Sequence, residues 1–451
     1  MNITLLHRKK ISVIGAARSG VAVAKLMQSQ GADVFVSDSS SAEKLQSSIF
    51  NLQSEKIEFE VGKHSDHVYN CELMVISPGV PSNALVVLEA QKHSIKVVSE
   101  LEVGSWFCRS PIVAITGSNG KTTTTTLIGR ILDHAKKKHV VAGNIGTAFS
   151  SIILELAETD IVVLEVSSFQ LDHIESFRPK ISILLNITPD HMDRYDHSME
   201  KYAASKARIF KNQRSDDVLI YNADDEWTNR VVSQAQSRKV AFSIQRKLNE
   251  GAFVENEKLV TSLGGVKTEI ININQIFIKG THNLYNSMAA ALAGQLLGVK
   301  ADPIQLTLKT FEGVEHRLEF VRELNNVRYY NDSKATNVDS VWYALQAFKE
   351  PIVLLLGGRD KGNDYSRLAK LVKKQVKAIV AIGESADKVE QAFRGTSAIT
   401  KTASMDEAVS TARSLAQSGD VVLLSPACAS FDWFKNYEQR GQVFKELVKN
   451  L

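Results

Sequence analysis

Three cysteines in 451 residues, Cys71, Cys108 and Cys428, are too few, too scattered and odd in number for a disulfide framework. That usage points to reduced thiols in a cytoplasmic compartment. No apolar run reaches the ~20 residues of a membrane-spanning helix, and the N-terminus carries no mark of a signal peptide. A net formal charge of +4, with no basic run interleaved with aromatic residues, gives a nucleic-acid partner no footing; the lysines at 136 to 138 read as a solvated helix end. Short-period repeats and low-complexity linkers are also missing. What remains, 44% apolar and 23% charged residues, is the composition of a globular protein. The chain is too long for one hydrophobic core, and roughly 150 residues per domain suggests three.

The most informative stretch is PIVAITGSNGKTTTTTLIGRIL, residues 111 to 132. Ile112 to Ile115 is a wholly apolar run of the kind that forms a buried parallel strand, and helical periodicity resumes at Leu127. Between them Gly117, Ser118, Asn119, Gly120, Lys121, Thr122 and Thr123 can form a phosphate cradle. The glycines let the backbone approach an anion, Lys121 brings positive charge, and Thr122 offers a hydroxyl suited to magnesium. The helix N-terminus adds unpaired amides and a favourable dipole. Ile115 stands where the strict P-loop has its first glycine, so a glycine-rich turn with a solvated lysine is the alternative.

Upstream, residues 10 to 38 read as strand, turn, helix and strand, with Gly15 and Gly20 around the turn and Asp38 where a dinucleotide fold carries its ribose-binding acid. The middle glycine of the dehydrogenase fingerprint is missing, which disfavours nicotinamide and leaves another nucleotide-shaped ligand at the same switch point. A further strand ends in Ser77, Pro78 and Gly79, where Pro78 reads equally as a strand terminator. Residues 97 to 107 read as a helical link. Downstream, Asn144 and Gly146 lie in a polar turn. Glu165 ends the run Ile161 to Leu164, in the position of a magnesium-holding acid or of a helix N-cap. His191, in an acidic cluster, either converges on the same sheet edge or is structural. MEKYAASKARIF reads as a helix whose Lys206, spaced with Tyr202 and Phe210, would ordinarily be a snorkelling surface residue. Residues 240 to 278 read as short strands, and Asn283 and Asn286 open a helix as caps or as amides for a base or ribose. Beyond residue 313, NDSKATN places Asp332, Lys334, Thr336 and Asn337 in a polar turn. Strand and helix then alternate to the end, with Lys361 and Ser430 in loops after strands.

TGSNGKTT, the Glu165 strand end, DHMDRY, YAASKARIF, HNLYN, EHRLE, NDSKATN and SPACASFDWFKNYEQRG together resemble the Mur ligases of peptidoglycan synthesis, and within them most the D-glutamate-adding branch. The resemblance spans the whole chain, and it accounts for the short Gly-x-x-Gly-Lys loop, which that family carries. It implies an α/β protein of three domains: Rossmann-like over 1–98, a P-loop ATPase domain with a mostly parallel sheet over 99–312, and Rossmann-like over 313–451. The first would hold a UDP-linked substrate through Gly15, Ser19, Asp38, Ser77 and Gly79, with Asn144 and Gly146 from the second. ATP would meet Gly117 to Thr123 together with Asn283, Asn286, His316, Arg317 and Asp332. The incoming amino acid would meet Lys334, Thr336, Lys361, Ser430 and Tyr437.

The same resemblance assigns catalysis to Lys121, Glu165, His191 and Lys206. It assigns two magnesium ions to Thr122, Glu165, His191 and a carbamylated Lys206, a modification that turns a cation into an anionic metal ligand. The implied partners are UDP-N-acetylmuramoyl-L-alanine, D-glutamate and ATP, bound by a cytoplasmic monomer with neither nucleic acid nor membrane as partner. Activation of a carboxylate by phosphorylation, then attack by the amine, is the implied reaction, with closure of the lobes excluding water. The rivals are a sister Mur ligase, a folylpolyglutamate-type ligase, a nicotinamide-dependent oxidoreductase, and a catalytically silent nucleotide-binding protein.

Overall fold

Short apolar runs bounded by glycine, proline or serine become the strands of three sheets. The structure, a computed structural model, describes residues 7–144, 146–360 and 362–451. It divides into two units, the first ending at Gln275 and resuming over Tyr285–Lys309, the second made of Ile276–Leu284 and Thr310–Leu451.

In the first unit, β1 (Lys10–Ile14), β2 (Asp33–Asp38), β3 (Glu58–Val61), β4 (Leu73–Ile76) and β5 (Lys96–Ser99) form a parallel sheet in the order β3-β2-β1-β4-β5. The winding direction reverses between β1 and β4, which opens a crevice beyond their C-terminal ends. Gly15 and Ser77 stand there. Val97 to Ser99 belong to β5 and not to the helical link expected over 97–107, because two β-branched valines pair with β4. The helix itself, Glu100–Phe107, starts one residue later, where Ser99 Oγ accepts the Glu102 amide.

The same unit holds a nine-stranded sheet built from β6 (Ile112–Thr116), β7 (His139–Gly143), β8 (Ile161–Glu165), β9 (Ile181–Leu184), β10 (Val218–Asn222), β11 (Arg238–Ser243), β12 (Gly251–Glu255), β13 (Lys258–Leu263) and β14 (Val266–Asn272). Its order is β14-β13-β12-β11-β10-β9-β6-β8-β7. The strands from β7 to β12 are parallel; β13 turns back antiparallel to β12, and β14 pairs antiparallel with β13. Parallel register brings the loops after β6, β7, β8 and β9 out along one edge. Every residue of β6, β8 and β9 is buried, as expected for strands covered on both faces.

The second unit carries β15 (Glu319–Leu324), β16 (Val327–Asn331), β17 (Ile352–Gly357), β18 (Val376–Ile382), β19 (Ala398–Lys401) and β20 (Val421–Leu424), in the order β15-β16-β20-β17-β18-β19. Only β15 is antiparallel. Because β20 inserts between β16 and β17, the loops after these strands share an edge. Among the described residues no helix is long and apolar enough to cross a membrane.

Candidate active site

The loop after β6 is held from below by the strand beside it. Ile115 is a strand residue, paired with Glu165 on one side and Ile183 on the other, so the backbone freedom of a first P-loop glycine is not needed there. The turn proper begins at Gly117. Asn186, just past β9, grips it reciprocally: its Oδ1 accepts the Asn119 amide at 2.9 Å and its Nδ2 donates to the Asn119 carbonyl at 3.0 Å. Ser118 is locked to Thr188 by two hydrogen bonds. Gly120 then adopts φ +87°, and a Cβ there would collide with Asn286 Oδ1, which also accepts from Thr124 Oγ1 at 3.2 Å. The helix Lys121–His134 follows directly, leaving its first amides at the loop.

Two lysines meet above this turn. Lys121 Nζ donates to the carbonyls of Gly117 and Ser118 at 2.8 and 2.9 Å, and Lys206 Nζ donates to Gly117 at 2.9 Å. Lys206 is only 1% exposed, so the surface role that its spacing suggested is overturned. The face of the helix Met199–Ala207 that carries it, with Tyr202, Ala203 and Ser205, is packed inward, and Lys206 Nζ lies 4.6 Å from the Tyr202 ring centre. Burial, then the neighbouring Lys121 charge, push the Lys206 ammonium well below its ordinary value, against the pull of Asp190 and Asp172.

Glu165 ends β8 beside them. It is not the N-cap of the next helix: Ser167 holds that position, with its amide bonded to Gln170 Oε1. Asn144 Nδ2 donates to Glu165 Oε1 at 3.0 Å, whereas buried Oε2 has no hydrogen-bond partner among the described residues. A buried carboxylate oxygen left over beside a glycine turn, a threonine hydroxyl and helix amides fits a magnesium–triphosphate group. His191, at φ +51°, packs edge-on against Phe169 and lies 3.7 Å from Asp190.

Beyond Asn144 a cavity of about 640 Å³ runs into the crevice of the five-stranded sheet. Gly15, Ser19, Asp38, Ser77, Gly79 and Asn144 all line it; Gly146 does not. Gly15, at φ +95°, lies so near Ser77 that a Cβ would sit 2.9 Å from Ser77 Cβ. Asp38 braces the turns around it, accepting the Ala16 amide at 2.7 Å and the Ser40 amide at 2.8 Å. Burial raises its carboxyl, but those amides, the Ser40 hydroxyl and His64 together bring it below the usual value.

In the second unit the loop after β16 is equally constrained. Asp332 accepts the Leu318 amide at 3.2 Å and the Ser425 hydroxyl at 2.8 Å. Its burial pushes the carboxyl up to about 6, opposed by Arg317, Ser425, Leu318 and Arg440. Lys334 is tied to His316 through its amide and lies 5.5 Å from the Tyr437 ring, which meets the His316 ring edge-on. Thr336 bonds back to the Lys334 carbonyl, Ser430 is buried, and Asn283, whose Nδ2 donates to the Lys279 carbonyl, lies inside the helix Thr281–Leu296 and not at its N-cap position. Lys361 lies outside the described residues.

Three family descriptions match the chain in order: MurD N-terminal domain over 10–86, Mur ligase middle domain over 115–294, and Mur ligase, glutamate ligase domain over 316–428. A protein of Chloroherpeton thalassium named UDP-N-acetylmuramoylalanine--D-glutamate ligase is 47% identical over 98% of this chain and 98% of its own. One of the same name from Salinibacter ruber is 45% identical over 99% of each. The chain belongs to the Mur ligase family. Among solved structures, UDP-N-acetylmuramate-alanine ligase MurC from Thermotoga maritima superposes on this Mur ligase with a TM-score of 0.61, over 98% of this chain and 100% of that one, at 20% identity. E. coli FolC in complex with DHPP and ADP gives 0.59 over 78% and 92%, at 16% identity. At such identities the likeness is one of fold.

Several groups at the sites of this Mur ligase carried no signal of their own in its sequence. Asn186 reads only as an asparagine after an apolar strand. Asp172, fixed by Tyr195 and Ser205 hydroxyls, looks like any helix-end acid. Arg18 and His64 line the cavity, yet neither sits in a recognisable motif. Arg440 is visible within EQRG, but its burial is not.

Proposed function

We infer that this Mur ligase joins D-glutamate to UDP-N-acetylmuramoyl-L-alanine, converting ATP to ADP and phosphate in cytoplasmic peptidoglycan precursor synthesis. The observations that carry the reading are Lys121 and Lys206 on the Gly117 carbonyl and, at the end of the neighbouring strand, Glu165, whose Oε2 has no hydrogen-bond partner among the described residues and whose Oε1 is bonded to Asn144 in the wall of the cavity. Relatives of the same name at 43–47% identity over nearly the whole chain support the choice of amino acid.

The reaction is a condensation that water does not permit, since hydroxide is a poor leaving group. The substrate carboxylate attacks the γ-phosphorus; an O–P bond forms, the β–γ bridge breaks and ADP leaves. Lys121 and the amides at the start of the helix Lys121–His134 spread charge over the migrating phosphoryl group. The D-glutamate amine then attacks the acyl carbon, a proton leaves nitrogen, and the tetrahedral intermediate expels inorganic phosphate. Magnesium, when bound, neutralises the triphosphate and the substrate oxygens, and Thr122, Glu165, His191 and a carbamate on Lys206 would hold two ions. That carbamate is the product expected of a buried lysine whose proton is held weakly: once the ammonium has lost its proton, the Lys206 Nζ lone pair bonds the carbon of carbon dioxide and a second proton is released. An anion then replaces the cation beside Lys121.

Residues 1–98 take the UDP-substrate part, with Gly15, Ser19, Asp38, Ser77 and Gly79 joined by Asn144 and Gly146. Residues 99–312 take ATP on Gly117 to Thr123, Asn283 and Asn286, joined by His316, Arg317 and Asp332. Residues 313–451 take D-glutamate on Lys334, Thr336, Lys361, Ser430 and Tyr437, and the enzyme works as a monomer. Phosphate release with ATP, magnesium and UDP-N-acetylmuramoyl-L-alanine tests the reading. Release is expected with D-glutamate and not with L-glutamate, L-alanine or a diamino acid; release with one of the latter alone makes the protein a sister ligase.

A further inference from the structure

At the outer end of the cavity, Ser37 on β2 is wholly buried, with Glu60 Oε1 at 2.7 Å and His64 Nδ1 at 2.7 Å. The Lys63 carbonyl lies at 3.4 Å, and Glu60 Oε1 also accepts the Ser65 amide at 2.9 Å. Ser37 has one proton to give. Burial raises the Glu60 carboxyl, but the Ser65 and Ser37 hydrogen bonds and nearby His64 bring it below its ordinary value. Glu60 is therefore an acceptor and takes that proton. Ser37 Oγ can then only accept from His64, so Nδ1 of the imidazole carries a hydrogen. Burial lowers the His64 pKa against the pull of Glu60 and Asp38, which leaves the ring uncharged at neutral pH. The tautomer is thereby set: Nδ1–H faces Ser37, and the lone pair of Nε2 is what His64 offers the cavity it lines.

The cavity also has a direction. One end is Asn144, bonded to Glu165, where the acid must be activated. The other is formed by Asp38 to Ser40 and His64, beyond β2 and β3 at the outer edge of the five-stranded sheet. In the uridine-linked substrate the reacting carboxylate and the base are at opposite ends of the molecule, which brings the base to His64.

We propose that His64 selects the base of the substrate, its Nε2 accepting the N3–H of uracil while Ser37 and Glu60 hold the ring in the accepting tautomer. Cytosine has a lone pair at N3 and would set acceptor against acceptor. The inference rests on the reading of this cavity as the uridine-nucleotide site, and it adds the atom that distinguishes one pyrimidine from another.

The test compares UDP-N-acetylmuramoyl-L-alanine with its CDP counterpart on the wild type, His64→Leu and His64→Gln. His64→Leu should raise KM for the uridine substrate roughly 10- to 100-fold, the penalty of an unpaired buried donor, with kcat within about twofold. Its preference for uridine over cytidine should collapse. His64→Gln, whose amide can turn either face to the base, should keep the uridine substrate and gain the cytidine one. Should a variant fold poorly, nitrogen-15 histidine spectra of the wild type decide: Nδ1 is expected protonated, and Nε2 should shift on adding UDP and not CDP. A His64→Leu enzyme that still discriminates, or an Nε2–H tautomer, overturns the proposal while wild-type turnover leaves the ligase reading intact. A wild type that neither binds UDP nor turns over overturns both.

Discussion

Lys121 and Lys206 share one acceptor: the Gly117 carbonyl oxygen takes Lys121 Nζ at 2.8 Å and Lys206 Nζ at 2.9 Å. Two cations on one buried carbonyl repel, and the more buried of the two gives up its proton more readily. A carbamate on Lys206 turns that repulsion into attraction. With carbon-13 bicarbonate, the enzyme should show a carbamate carbon resonance that Lys206→Ala lacks. Stripping carbon dioxide should lower turnover and bicarbonate should return it, while Lys206→Ala should be slower by about 100-fold or more. Turnover indifferent to carbon dioxide, with no resonance, would show Lys206 acting as a plain amine.

Gly120 and Asn286 lie far apart in sequence and in contact in the fold. Gly120→Ala meets two obstacles, a φ of +87° and a collision with Asn286 Oδ1. The first costs about 1 to 3 kcal/mol by itself. Thermal unfolding and ATP affinity should both fall, and adding Asn286→Ala should recover part of the stability but not all, because only the collision is relieved. Full recovery would mean that the backbone angle is not strained.

Asp332 should make the second unit less stable as pH rises. Its pKa is raised from 3.8 to about 6 by burial, so the folded state binds the proton more tightly than the unfolded state. The stabilisation is fully present below pH 3.8 and is lost as pH rises through 6. The difference corresponds to about 3 kcal/mol at most. Asp332→Asn, which cannot ionise, should gain on the wild type by up to that amount between about pH 4 and pH 7. Denaturant unfolding of both across that range reads it, and parallel pH profiles would reject it.

Arg440 is a buried guanidinium that spans two loops. Nε donates to Ser333 Oγ at 2.9 Å, Nη2 to the Ser333 carbonyl at 2.8 Å, and Nη1 and Nη2 both to the Cys428 carbonyl at 3.1 Å. Those loops carry Lys334 and Ser430. Lysine has three donors on one point and cannot reproduce the fork. Arg440→Lys should cost about 3 kcal/mol or more and raise KM for D-glutamate, with the affinity for the UDP substrate unchanged. Calorimetry and initial rates check both, and an unaltered KM would make Arg440 structural only.

How much of this could be read along the chain depends on how local each cause is. The Gly117-to-Thr122 turn is legible because bending, anion approach and helix start are decided within a few residues. The strand before it and Glu165 at the end of β8 are legible because a run of apolar residues has only a buried place to go. Pairing is another matter: Asn144 meets Glu165 only because β7 and β8 are neighbours in the sheet, and nothing in either segment says so. The boundary at Ser99 is not legible in the sequence, because pairing with β4, and not local pattern, puts Val97 and Val98 in a strand.

By itself, then, the sequence determined which chemistry the chain could attempt: a triphosphate held by a short glycine turn, an acid at a strand end, and a polar turn after β16. The tertiary structure alone decided which side chains lose water. Lys206 reads as a surface lysine by its spacing and becomes a buried amine because its helix packs that face inward, against a carbonyl 89 residues away. Ser37, Glu60 and His64 form a relay only because β2 and β3 lie side by side. Burial and proton position depend on partners distant in the chain, and local pattern holds no record of them.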